Sequence, residues 1–207
     1  DGFEADKEAF DEVVMKFQSN NKRNYDFLVK ASDEYKDAVF HMCKRFLKSE
    51  VFPKKFQETT LHQIWKRKPG TRKEDLTANR YIHCKEWLPR TAESMVVKGM
   101  DREIKAATNR FQIGGVAGHR PQEHIFSVKS IIAKYSMEKK LVVLICYDIS
   151  GFFDKEVLSD AVQELYSINV DPKLCRLFHK LNESTRVRVR TGCGYSDWGE
   201  VGDILGQ

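Results

Sequence analysis

The stretch Leu141-Val-Val-Leu-Ile-Cys-Tyr-Asp-Ile-Ser-Gly-Phe-Phe-Asp154 decides the expected fold. Its first part, residues 141–147, is apolar or weakly polar, which is typical of a strand buried on both faces. The run ends at Asp148, and Asp154 follows two phenylalanines. A carboxylate at the end of a dry strand is held rigidly while it faces an open edge of the sheet. This placement predicts a functional site at Asp148.

The composition predicts a globular protein of one or two domains. Of 207 residues, 41% are hydrophobic and 31% are charged, which excludes a disordered chain. No apolar run approaches the roughly 20 residues that span a bilayer, and the acidic start does not resemble a signal peptide. The five cysteines form no Cys-x-x-Cys pair. We therefore expect an intracellular protein, nuclear or cytoplasmic, that has reduced thiols and does not associate with membranes.

The positive charge is concentrated in the middle of the sequence. Residues 41–110 contain 17 basic and 8 acidic residues, a net charge of +9, whereas the whole chain carries +5. This excess favours a phosphate-bearing partner, although a solvated basic surface explains it equally well.

Periodicity predicts a mixed order of helices and strands. The N-terminal helices, 5–18 and 34–49, have apolar stripes expected to form core: Phe10, Val13, Val14 and Phe17 in the first, and Tyr35, Ala38, Val39, Met42, Phe46 and Leu47 in the second. Further helices are predicted near 85–105, after Pro121, at 155–167, and from Asp171-Pro172 to about 182. Strands are predicted at 60–65 and 185–191, with 198–205 returning as the partner of the latter.

Four blocks carry a family resemblance when they are taken in order. They are Phe52-Pro53 with Ile64-Trp-Lys66 and Asn79-Arg-Tyr-Ile82; the glycine-rich Gln112–His124; Asp148-Ile-Ser-Gly-Phe-Phe-Asp154; and Gly202-Asp-Ile-Leu-Gly-Gln207. Over residues 51–207 they resemble the front half of a non-LTR retrotransposon reverse transcriptase domain. The resemblance implies an α+β right-hand polymerase fold, with fingers at 51–140 and a partial palm at 141–207. An N-terminal helical extension, 1–50, precedes them.

The resemblance implies that Lys66 and Arg80 contact the triphosphate of a deoxynucleoside triphosphate. A guanidinium fork and a point charge suit an anionic polyphosphate. Asn79 and Tyr81 stand where the family has tyrosine and proline, and both cations could instead belong to an ordinary surface. Gly114, Gly118 and Arg120 match the loop that contacts the RNA template. There Gly115 and Val116 replace the usual phenylalanine and arginine, and His119 or Arg120 could substitute for that arginine.

By the same resemblance, Asp148 is the catalytic carboxylate, and with the carbonyl of Ile149 it binds Mg²⁺. Two such ions would hold the attacking and leaving oxygens in the complete domain. The resemblance also implies nucleotide contacts at four further positions: Gly151, Phe152, Phe153 and Gln207. Phe153 matches the aromatic residue that blocks a ribose 2′-hydroxyl. Asp154 is more simply explained as a helix N-cap.

The expected function is therefore RNA-directed DNA polymerase, acting on an RNA template and a DNA primer. The family's Tyr-x-Asp-Asp motif does not occur in these 207 residues, so we expect no polymerase activity from this chain alone. An unfinished palm should also leave strand 141–147 without a neighbour and its apolar surface exposed. The alternative is a catalytically inactive RNA-binding or interaction module derived from a retroelement.

Overall fold

The computed structural model describes residues 2–19, 26–67, 69–72, 74–75, 78–116, 118–149, 156–183 and 186–200. These residues form a mixed α+β structure with a small mixed sheet. Among the helices in these ranges, none is long and apolar enough to cross a membrane.

The helices follow the predicted order closely. They are α1 Lys7–Ser19, α2 Asp26–Val29, α3 Asp33–Ser49, a 3₁₀ turn Lys54–Gln57, α4 Trp87–Gly99, α5 Asp101–Ala107, α6 Pro121–Met137, α7 Leu158–Ser167 and α8 Pro172–Asn182. Local sequence explains where several of these helices begin. Ser32 caps α3 by accepting from the Tyr35 backbone N–H, and Asp171 caps α8 by accepting from that of Lys173. Prolines open α6 and α8, where the missing N–H costs no helical bond.

The strands form one sheet in the order β2-β1-β3-β4, with β5 also paired to β3. Their bounds are β1 Glu58–Trp65, β2 Asn79–Lys85, β3 Arg186–Thr191, β4 Gly194–Tyr195 and β5 Gly199–Glu200. β1 is antiparallel to β2, with Thr60 opposite Cys84, and parallel to β3, with Thr60 opposite Arg188. The predicted strands 60–65 and 185–191 are confirmed, and β5 returns against β3 as expected.

One apolar core joins the N-terminal helices to α4 and α8. Phe10, Val13, Val14 and Phe17 of α1 are all buried, so the stripe predicted for this helix is confirmed. They share a core cluster with buried residues of α4 and α8: Ala92, Met95, Val96, Leu174, Cys175, Leu177 and Leu181. At the edge of this cluster, the Phe3 backbone N–H donates to Asp171 and the Lys173 ammonium donates to the Phe3 carbonyl. Residues from both ends of the chain therefore stabilise the same core.

The buried face of α3 differs from the prediction. Val39 and Leu47 are buried as expected, but Tyr35, Ala38 and Met42 are exposed. Phe40 and Cys43 fill the core instead, because they lie on the side of α3 that faces α1 and α4. Burial raises the pKa of the Cys43 thiol to about 12.

The chain divides into two compact units, residues 1–104 with 151–207 and residues 105–150. The predicted boundaries near 50 and 140 stay predictions. In the first unit, α1 and α3 share an apolar core with α4 and α8.

The strand predicted at 141–147 is wrong. Residues 141–149 have no regular secondary structure, and within the described ranges no strand pairs with them. A buried strand depends on neighbours that satisfy its backbone and cover its side chains. Leu141 is 91% exposed and Tyr147 is 90% exposed. The apolar side chains of this run are therefore exposed, and the unfinished palm as their explanation stays a prediction.

Candidate nucleic-acid interface

The β1–β2 hairpin brings Lys66 and Arg80 together. Arg80 lies opposite Ile64, and the Lys66 backbone N–H donates to the Ala78 carbonyl at 2.9 Å, which continues the ladder past Trp65. Side chains alternate along a strand, so Lys66 projects on the same face as Ile64 and Arg80. Both cations are exposed and lie diagonally across the strand pair.

Hydrogen bonds to Asp75 organise the loop between these strands. The Arg72 backbone N–H donates to the Asp75 carboxylate at 2.8 Å, and the Asn79 side-chain amide donates to the Asp75 carbonyl at 2.7 Å. Asn79 is therefore an anchor of this loop. Its buried amide holds the strand end from which Arg80 projects.

The same face of the sheet continues onto β3. Arg186, Arg188 and Arg190 lie opposite Glu58, Thr60 and His62 of β1, and Arg190 also lies opposite Tyr195 of β4. We call one set of side chains the basic face: Lys66, Arg80, Arg186, Arg188, Arg190, Tyr195 and Trp198. The sequence predicted the strand β3, but its pairing with β1, which places its arginines on the same face as Lys66 and Arg80, was not predicted.

Two aromatic rings organise the arginines of the basic face. The Arg188 guanidinium lies 4.1 Å from the ring centroid of Tyr195 and 4.8 Å from that of Trp198. Arg186 lies 5.3 Å from the Trp198 ring, and its Nη1 is 3.5 Å from the Glu58 carboxylate. Tyr195 and Trp198 were not predicted from the sequence as contacts of these arginines. Their signal was the pair of aromatic residues in the segment that returns after Gly192-Cys-Gly194.

The opposite face of the sheet contacts helices at one end. Thr59 lies opposite Lys85 of β2 and Val187 of β3, and it is buried. The Lys85 ammonium donates to Glu93 of α4 and to the Leu181 carbonyl and Asn182 amide oxygen of α8. The sheet therefore directs one face toward the helical core, while the basic face carries exposed and half-exposed cations.

Asp148 and Ile149 lie in the second unit, on the irregular segment that ends it, and both side chains are exposed. In the described ranges, no group of three His, Cys, Asp or Glu side chains could hold a metal ion. A two-ion site depends on several carboxylates that bridge the ions. The described residues thus do not fit the implied pair of magnesium ions, since Asp148 alone supplies a carboxylate there.

The residues predicted to contact a template also lie in the second unit, in the loop before α6. Gly115 and Gly118 have positive φ values of 77° and 89°, which explains glycine at these two positions. Arg120 is exposed and is the N-cap residue of α6. His119 lies 2.9 Å from Glu123, and this hydrogen bond lowers the pKa of the Glu123 carboxyl. Gly114 accepts from the Gln112 side-chain amide.

The remaining predicted positions, Gly151, Phe152, Phe153, Asp154 and Gln207, lie outside the described residues. The structure therefore brings together Lys66 and Arg80 of the predicted site and adds three arginines and two rings beside them. No protein-family model matches this chain, and no curated protein sequence matches it.

Proposed function

We propose that this chain is a fragment of an RNA-directed DNA polymerase domain, comprising the fingers and part of the palm of a retroelement reverse transcriptase. The order of the four sequence blocks supports this assignment. The main observation in favour of this assignment is the β1–β2 hairpin, which presents Lys66 and Arg80 on one exposed face. A guanidinium and an ammonium placed diagonally give the fork and the point charge that bind a triphosphate.

In this proposal Lys66 and Arg80 bind the deoxynucleoside triphosphate, and Asp148 is the catalytic carboxylate of the complete domain. Gly114, Gly118 and Arg120 contact the RNA template. The metal-binding carboxylates that Asp148 lacks here would come from a Tyr-x-Asp-Asp element. This chain alone should therefore incorporate no deoxynucleotide.

Primer extension on an RNA template tests the proposal, with a polypeptide in which these residues continue into a Tyr-x-Asp-Asp element. Asp148→Asn should abolish incorporation. Arg80→Ala should raise the KM for the deoxynucleotide about ten-fold or more, because a charge-assisted contact to the triphosphate is lost. Arg45→Gln, an exposed position on α3, is the charge-matched control and should leave KM unchanged. Unchanged kinetics in Asp148→Asn, or clear incorporation by the 207-residue chain alone, would contradict the assignment.

A second function, nucleic-acid binding without catalysis, is favoured by the basic face itself. That surface consists of side chains from the sheet and of Trp198, and it does not include Asp148. Asp148→Asn separates the two functions, since binding of RNA should survive a change that stops synthesis.

A further inference from the structure

Arg188 is held in a fixed orientation on the basic face. Its Nε–H donates to the Thr60 hydroxyl at 3.4 Å, while the rings of Tyr195 and Trp198 lie against the guanidinium. Within the described residues, the terminal nitrogens of Arg188 have no hydrogen-bond partner. A guanidinium that is already stacked and oriented loses less conformational freedom when it binds a planar or tetrahedral anion.

The neighbouring arginines, Arg186 and Arg190, differ from Arg188 in what surrounds their guanidinium groups. Arg186 is partly neutralised by Glu58 and lies beside Trp198, so it helps to position that ring. Arg190 is exposed at the end of β3. Residues that alternate on one strand lie about 7 Å apart, so the three arginines span about 13 Å. That spacing is close to the separation of successive phosphates in an extended polynucleotide strand.

The rings favour a single strand over a duplex. Tyr195 is 56% exposed, and Trp198 is partly exposed beside it. Unpaired bases stack on such rings, whereas bases inside a duplex are already stacked on each other. A row of phosphate ligands next to two accessible rings is the arrangement expected for single-stranded nucleic acid.

We propose that the arginines of β3, with Tyr195 and Trp198, form a binding site for single-stranded nucleic acid, in which Arg188 and Arg190 contact consecutive phosphates and the rings stack on bases. This site rests on the second proposed function, nucleic-acid binding by the basic face, and it uses none of the residues assigned to nucleotide, template loop or metal. RNA and single-stranded DNA share the phosphodiester chemistry, so both are ligands in the test.

Fluorescence anisotropy with the 207-residue chain measures this binding, using labelled single-stranded RNA and DNA of about 12 nucleotides and a duplex of equal length. Arg188→Gln should weaken single-strand binding about ten-fold. It should also make the slope of log K against log salt shallower by about 0.7, because one phosphate contact is lost. Trp198→Leu should weaken binding about ten-fold without changing that slope.

Three features of the experiment make the result decisive. Arg45→Gln removes the same charge from α3 and should change affinity less than two-fold, as roughly expected for a distant surface charge. Single-strand binding is measured without deoxynucleotide or Mg²⁺, so failure of the polymerase proposal in primer extension leaves this inference standing. Arg190→Gln, at the exposed end of β3, replaces Arg188→Gln if the circular dichroism spectrum shows that the latter does not fold.

The site is refuted if the β3 variants bind RNA and DNA as tightly as Arg45→Gln. Equal affinity for the duplex would refute the role of the rings. If poly-glutamate at the same charge concentration displaces all of the bound nucleic acid, the surface is instead a binding site for an acidic protein. A preference of RNA over DNA, or the reverse, identifies which single strand is the ligand.

Discussion

Glu50 shows how one residue supports the junction between two helices. It ends α3 in the left-handed region, with φ 54°, a conformation that costs energy for a residue with a side chain. Its carboxylate lies 3.0 Å from the Lys180 ammonium and 3.3 Å from an Arg176 nitrogen, both on α8. The hydrogen bond from Lys180, followed by that from Arg176, holds the pKa of Glu50 below its usual value.

Glu50→Gln should lower the stability of the protein near neutral pH by about 1 kcal/mol, because the cationic partners lose their counter-charge. The folded-state pKa lies below the unfolded value near 4.5, so this stabilisation is present above that value and is lost as pH falls through the folded pKa. Urea unfolding at pH 7 and at pH 3 measures the difference. Glu74→Gln, an exposed carboxylate in the β1–β2 loop, provides the control. A destabilisation that is equally large at both pH values would contradict the ionic explanation.

At the scale of elements, Lys85 connects β2 to α4 and α8. Its ammonium makes three hydrogen bonds, to Glu93 at 3.3 Å and to Leu181 and Asn182 at 3.1 Å each. Lys85 and Glu93 are only 11% and 15% exposed. A pair so poorly solvated depends on both partners, since either charge alone would lie desolvated.

Lys85→Met should destabilise the protein by about 3 kcal/mol, because Glu93 and two oxygens of α8 lose their donor in a nearly dry site. Adding Glu93→Leu should restore part of that loss by removing a poorly solvated carboxylate that keeps only the long contact from Arg90, at 3.4 Å. Thermal unfolding of the single and double variants gives both values. Lys55→Met, on the exposed side of the 3₁₀ turn, should change the melting temperature little. A double variant that is less stable than Lys85→Met would show that the contact of Glu93 with Arg90 outweighs the cost of the desolvated carboxylate.

Local signals predicted the elements well, and tertiary packing explains the errors. Asp171-Pro172 and Pro121 marked the starts of α8 and α6 because cap and first-turn chemistry act within a few residues. The strand predicted at 185–191 was also confirmed, as β3. The strand prediction for residues 141–147 was wrong because apolar composition indicates only that side chains tend to be buried. A strand also requires a neighbouring strand that pairs with its backbone. For α3, the buried side was set by its neighbours, and Phe40 and Cys43 took the core positions.

The candidate interface was predicted only in part. Lys66 and Arg80 were identified by resemblance, and their common face follows from the hairpin register. The addition of Arg188 depends on parallel pairing between β1 and β3, which are separated by 128 residues at Thr60 and Arg188. No local pattern encodes that partner choice. The cation–ring contacts of Trp198 follow from it and could not be predicted without it.

At the scale of the whole molecule, the N-terminal helices share one apolar core with α4 and α8. Phe10 is fully buried, and its ring lies 5.7 Å from that of Phe40 on α3. α1 packs against α4, and α4 packs against α8. Residues 1–50 therefore cover the apolar faces of helices that follow more than thirty residues later in the chain.

Phe10→Ala should destabilise the protein by about 3 kcal/mol or more, because it leaves a cavity at the contact of α1 with α3. Hydrogen exchange should then accelerate in α4 and α8 as well as in α1. Met15→Ala is the matched control, since Met15 lies on the same helix and is 60% exposed. Faster exchange confined to α1 and α3 would show that the N-terminal helices unfold independently.

The parallel pairing of β1 with β3 has a consequence for biosynthesis. Glu58 cannot pair with Arg186 until the ribosome has synthesised the 128 residues that follow it. Because β2 is complete at Lys85, 101 residues before Arg186, the β1–β2 hairpin has one open edge for roughly 5 to 20 s at ordinary elongation speeds. The nascent chain thus spends seconds as a potential aggregation template, and chaperone cover during that interval favours the soluble yield of this protein.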